Sequence, residues 1–174
     1  AIGGYARANA EGLSTNEEYD SRRDTWTTKA DMPTNRRWMS SSVVDGKIYL
    51  IGGYTNFAQP GLSTVEVYDP KKDTWEKKKD MPTARLGPSS CTSNGIIYVF
   101  GGGSVVPHTL NTVEAYDPET DTWSGKKDMP TARYMAAACE VNDKIYVIGG
   151  SLGGGNASNK VEEYDPATDT WAEK

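Results

Sequence analysis

Residues 144–171 read KIYVIGG, a short Gly/Asn/Ser loop, and KVEEYDPATDTW, and three earlier stretches of the chain repeat that pattern. Gly149-Gly150 is preceded by Gly101-Gly102, Gly52-Gly53 and Gly3-Gly4, at steps of 48, 49 and 49 residues. Tyr164-Asp165 has counterparts Tyr116-Asp117, Tyr68-Asp69 and Tyr19-Asp20. Trp171, Trp123, Trp75 and Trp26 each follow their tyrosine by seven residues. Met-Pro recurs at Met32-Pro33, Met81-Pro82 and Met129-Pro130, each followed by an arginine, Arg36, Arg85 or Arg133. A period of roughly 50 residues with fixed landmarks defines a repeat architecture.

The Gly doublet, the Tyr-x6-Trp spacing and Met-Pro-x-x-Arg together resemble the kelch repeat, and the resemblance covers nearly the whole chain. It implies an all-β fold of four-stranded antiparallel blades arranged as a β-propeller. It leaves function open, because propellers carry scaffolds, sugar-binding proteins and enzymes alike. The 174 residues hold a blade remnant at 1–26 and full repeats at 27–75, 76–123 and 124–171. Closed propellers use about four to eight blades. The expectation is therefore a partial or incomplete ring of about four blades, cut, partly ordered, or completed by a second copy as a homodimer.

Within each repeat the chemistry assigns the strands. The innermost one carries small residues, Ser40-Ser41-Ser42, Ser89-Ser90-Cys91 or Ala136-Ala137-Ala138-Cys139, as crowding near an axis requires. Asp45-Gly46, Asn94-Gly95 and Asn142-Asp143 are tight-hairpin dipeptides that tolerate positive φ. The runs KIYLI, IIYVF and KIYVI are nearly all apolar and predict strands buried on both faces. A third strand then turns through Asp-Pro-x-x-Asp into the Trp strand. The lysines there, Lys77-Lys78-Lys79 and Lys126-Lys127, blunt an exposed edge or, alternatively, form a basic docking patch.

Several chemistries are disfavoured. A net charge of -5 argues against nucleic acid as a partner, since phosphate contacts need a basic stripe. No run of about 18 apolar residues predicts a membrane span. Cys91 and Cys139 share one repeat position and read as free, buried thiols. The Asp pairs spaced by four lack the pattern of a calcium loop and read as turns. Neither HExxH, Walker nor CxxC patterns occur, so neither cofactor nor metal is expected. Asn156-Ala157-Ser158 matches a glycosylation sequon.

Glu66, Glu114 and Glu162, matched by Glu17, occur once per blade, as do the repeated arginines, and predict structural Arg–carboxylate bridges. Function is expected where the blades differ. Two sets of residues vary: the loop after the Gly doublet, and the residues after the repeated arginine. The kelch resemblance implies that both sets lie on one rim, at the mouth of the central channel. From the second set come Arg37, Trp38, Tyr134 and Met135, with Gly87 in the intervening blade; from the loops come Tyr5, Arg7, Tyr54, Asn56, Phe57 and His108. Aromatic residues and Arg dominate binding hot spots. These ten residues point to a binding module for a protein or peptide, or alternatively a sugar. A rival reading is a carbohydrate-active propeller resembling sialic-acid mutarotases, for which Arg7, Arg37 and Glu140 are the available groups. Kelch-like copper radical oxidases need two histidines, and this chain has one, His108.

Overall fold

The structure is a computed structural model and describes residues 1–5, 12–56, 60–104 and 108–174. A two-stranded sheet, β1 (Glu17–Asp20) and β2 (Thr25–Thr28), forms the first blade. The second blade runs β3 (Ser40–Val44), β4 (Lys47–Ile51), β5 (Val65–Asp69) and β6 (Thr74–Lys78). The third runs β7 (Ser89–Ser93), β8 (Ile96–Phe100), β9 (Val113–Asp117) and β10 (Thr122–Lys126). The fourth contains β11 (Ala137–Val141) and β12 (Lys144–Ile148), a small hairpin β13 (Ser151–Gly153) and β14 (Asn156–Ala157), then β15 (Val161–Asp165) and β16 (Thr170–Glu173). In each four-stranded sheet, sequential neighbours pair antiparallel from the inner to the outer strand. The ring is open.

The hairpin dipeptides behave as their chemistry requires. Asp45 and Gly46 have φ of 50° and 72°, and Asn94 and Gly95 have 49° and 78°. Both central residues of the turn are thus left-handed, the twist that suits a two-residue hairpin. Across the next turn Tyr68 sits opposite Trp75, with ring centroids 4.9 Å apart. The same pair forms in every blade, which explains the invariant spacing of Tyr and Trp.

The core lies between blades. Tyr49, Ile51, Val65 and Val67 of the second blade pack against Ile97, Val99 and Tyr116 of the third. Tyr98, Phe100, Val113 and Ala115 of the third pack against Ile145, Val147 and Tyr164 of the fourth. Alternate residues of β8 serve opposite interfaces, so its sequence IIYVF is apolar throughout. Near the axis the small inner-strand residues let neighbouring blades touch: Ser42 Oγ lies 2.8 Å from Ser90 Oγ, and Thr92 Oγ1 donates to Val43 O at 3.1 Å.

The two cysteines separate. Cys91 is buried against Ala136 and Ala138 of the next blade, as expected. Burial pushes its thiol up to about 11. Cys139 is exposed, which corrects the expectation of a buried thiol. Its side chain shares a face with Val141 and Ile148, which are 49% and 42% exposed.

Two polar devices join the blades. Arg36 has no exposed surface and pairs with Glu66, whose other oxygen accepts from Thr34 Oγ1 at 2.7 Å. Arg36 also donates to the carbonyls of Gly52 and Thr64, at 3.2 and 3.0 Å. Arg85 and Arg133 repeat the arrangement with Glu114 and Glu162. The side chain thus serves its own blade, while the backbone serves the preceding one: Arg85 N donates to Leu62 O at 3.0 Å, and Gly53 N to Arg85 O at 3.0 Å. The Gly doublet is explained here. Gly52 has φ +66°, and a Cβ on it would lie 2.7 Å from Arg85 O.

The second device is on the outer strands. Asp121 Oδ1 accepts from Tyr116 Oη at 2.6 Å and from Lys79 N of the preceding blade at 3.0 Å, while Trp123 Nε1 donates to Lys79 O at 3.0 Å. Asp73 with Trp75 grips Ala30, and Asp169 with Trp171 grips Lys127, in the same way. These Asp residues are therefore interface acceptors as well as turn formers.

Arg85→Ala leaves Glu114 buried without its cation, and we expect a loss of about 3–5 kcal/mol in urea unfolding; an unchanged midpoint would contradict the bridge. The carboxyls of Asp73, Asp121 and Asp169 are held below the usual range, first by the tyrosine hydroxyl and then by the backbone amide. Their contribution is fully present above the unfolded carboxyl value of about 4 and is lost as pH falls through the lowered folded value. Asp121→Asn should therefore be less stable than the parent at pH 7, with a shallower loss of stability below about pH 4. Parallel stability–pH curves would argue against the clamp.

Candidate functional site

The residues after each repeated arginine meet the loops after the Gly doublets on one rim. Arg37 bridges Tyr54, with mutual N–H···O bonds of 3.0 and 2.9 Å; Leu86 bridges Gly103 and Tyr134 bridges Ser151 in the same way. The next residue in each blade is left-handed: Trp38 at φ +53°, Gly87 at +56° and Met135 at +54°. A bulky L-residue seldom adopts that conformation. It is held by a belt running from blade to blade, in which Gly87 N donates to Trp38 O at 2.7 Å and Met135 N donates to Gly87 O at 2.8 Å. Gly87 is buried and lets that belt pack closely, since a Cβ there would lie 3.1 Å from Met135 Cγ and 3.4 Å from Tyr134 Cδ2.

Beside the belt is an aromatic–cation stack. The Arg37 guanidinium lies 5.0 Å from the Tyr5 ring and 4.7 Å from the Tyr54 ring, and Trp38 meets Tyr54 edge-on at 4.9 Å. Arg37 and Tyr54 are each 2% exposed, so their part is to position the stack, while Tyr5 is 53% exposed and Trp38 half-buried. Burial raises the Tyr54 hydroxyl above its ordinary value, partly offset by the Arg37 charge. Arg37, Trp38, Tyr54 and Tyr5 therefore form one group, and Tyr134 and Met135, the latter 43% exposed, form a second around Gly87. Asn56 is half-buried two residues beyond Tyr54, and His108 is exposed, its carbonyl accepting from Ser104 N at 3.2 Å. Arg7 and Phe57 lie outside the described residues. Glu140 is remote from Arg37: it stands by the β11–β12 turn at the opposite rim, where its carboxylate accepts from Asp143 N at 2.6 Å. Among the described residues no cluster of three or more His, Cys, Asp or Glu is placed to hold a metal, and no helix is long and apolar enough to cross a membrane.

The model of the KLHDC2/KLHL20/DRC7 kelch-repeats domain matches residues 2–127 and 41–174. The chain belongs to the kelch-repeat family. A solved structure titled "Structure of YjhT" superimposes with a TM-score of 0.81 over 99% of this chain, at 22% identity. That likeness is one of fold, and this chain spans 64% of the other. Comparison with curated proteins gives no match. The kelch scaffold accounts for the repeated Arg, Glu, Asp and Trp.

Sequence comparison between repeats marks position 38 as variable but does not show its left-handed backbone. Trp38→Gly should be more stable than Trp38→Ala by about 1 kcal/mol, because Gly carries no penalty there. Equal urea midpoints for the two variants would contradict that conformation.

Proposed function

We propose that this kelch domain is a binding module that takes a protein or peptide segment on the rim formed by Trp38, Gly87, Tyr134 and Met135. The observation that carries this reading is the bulky, left-handed Trp38, fixed in the backbone belt beside the Tyr5–Arg37–Tyr54 stack. Strained backbone concentrates where function needs a side chain held in place. The kelch propeller fold supports a binding module in general. Half-exposed aromatic rings offer a rigid apolar surface, with little side-chain entropy to lose on docking. The carbohydrate-enzyme reading gains less, because Arg37 is enclosed by tyrosines and Glu140 belongs to the other rim.

A second reading is self-association. Tyr19 and Trp26 are 46% and 59% exposed, whereas Tyr68 and Tyr116 at the matching position are at most 3% exposed. Val141 and Ile148 expose the opposite face of the last blade. One chain thus presents both sides of an interface of the kind that joins its own blades, the condition for head-to-tail association.

A random-peptide phage library panned against the chain tests the rim. Trp38→Ala and Tyr134→Ala should each weaken the selected peptides by about tenfold or more, with circular dichroism unchanged. Peptides indifferent to both substitutions would overturn the rim assignment. Sedimentation equilibrium tests self-association: a mass rising with concentration and lowered by Trp26→Asp supports it, and a constant 19.0 kDa excludes it.

A further inference from the structure

The opposite rim carries a cleft of about 470 Å³ between the second and third blades. One wall is the β3–β4 turn with Lys47, and the other holds the β7–β8 turn and the Asp117-Pro118-Glu119 turn that follows β9. Tyr49, 4% exposed, and Ile96 supply apolar surface between the walls. A cavity of this size suits a small ligand, with a few polar groups fixing its orientation.

The repeat makes its charges unusual. In the fourth blade, Lys144 at the start of β12 closes onto Asp165 of the same sheet at 2.7 Å. The third blade has Ile96 at the matching position, so Asp117 receives no such lysine. Among the described residues its carboxylate accepts local turn bonds, including those from Glu119 N at 2.9 Å and Thr120 Oγ1 at 2.8 Å. In the second blade the matching lysine is present as Lys47, but Asp69 is paired with Lys72 at 3.9 Å, and Lys47 lines the cleft. A cation therefore stands on one wall and two carboxylates, Asp117 and Glu119, on the other, with no ion pair across the gap among the described residues.

We infer that this cleft is a binding site for a small zwitterion of about dipeptide size, its carboxylate on Lys47 and its ammonium on Asp117 and Glu119. A ligand of one charge would satisfy one wall and face a like charge on the other, Asp45 beside Lys47 adding to the penalty for a pure anion. A neutral polyol would leave both walls without a counter-charge. The site is independent of the Trp38 rim, so failure of one assignment leaves the other standing.

The test is a ¹⁵N–¹H NMR titration of the whole chain with L-alanyl-L-alanine, compared with its N-acetyl and C-terminal amide forms and with trehalose. The account expects saturable shifts at Asn94, Gly95, Ile96 and Glu119 with the dipeptide. Binding should weaken by about tenfold on capping either end, and by a similar factor in Lys47→Met and Glu119→Gln, the loss of one charge-assisted contact each. Both substitutions are at surface positions, and spectra that otherwise overlay the parent's verify folding. Absent or non-saturating shifts, equal binding of a capped form, or preferential binding of trehalose would each overturn it.

Discussion

The buried Arg–Glu pair is the interaction on which this fold turns. An arginine with no exposed surface must find a counter-charge and hydrogen-bond acceptors, because leaving a buried charge uncompensated costs several kcal/mol. Arg85 meets that demand inside its own sheet through Glu114 and the carbonyls of Gly101 and Thr112, at 2.9 and 2.8 Å. That fixes the chain just before the innermost strand. The Arg85 backbone is then presented to the preceding blade, where Leu62 and Gly53 complete their own bonds. The same residue thus sets the position of its blade and the angle to its neighbour. The outer clamp of Asp121 and Trp123 on Lys79 repeats the logic at the periphery, so each blade is held at two radii.

The rim inherits its geometry from this arrangement. Arg36 and Arg37 are adjacent: the first is anchored inward, and the second bridges Tyr54 and lies against its ring. Trp38 follows in a left-handed conformation and joins the belt through Gly87 to Met135. A surface hung on buried ion pairs is preorganised, which lowers the ordering cost of binding. Positions 38, 87 and 135 thus carry different side chains on one shared left-handed backbone.

Much of this is legible in the sequence, for a physical reason. Gly52, Tyr68, Trp75, Met81 and Arg85 recur because every blade meets the same demands, so periodicity exposes them. What periodicity hides is context. Arg37 reads as an exposed hot spot, yet Tyr54, itself 2% exposed, shields it, and that depends on a loop conformation no repeat comparison reveals. Cys139 occupies the same repeat position as Cys91 but faces outward from the last blade, so equal position does not mean equal burial. Thr34, Thr83 and Thr131 carry the second half of the glutamate contact. Their recurrence two residues before each arginine was available as a signal. The cleft beside Lys47 owes its charges to the opposite case, a residue missing from the pattern at Ile96.

Native-state hydrogen exchange tests the central claim most directly, that the rim is a rigid platform carried by the buried arginines. The account predicts that the amides of Gly87 and Met135 exchange as slowly as those of β8, since both lie within the inter-blade hydrogen-bond belt. Exchange at these two amides as fast as in exposed loops would show that the belt does not hold in solution, and would contradict the account.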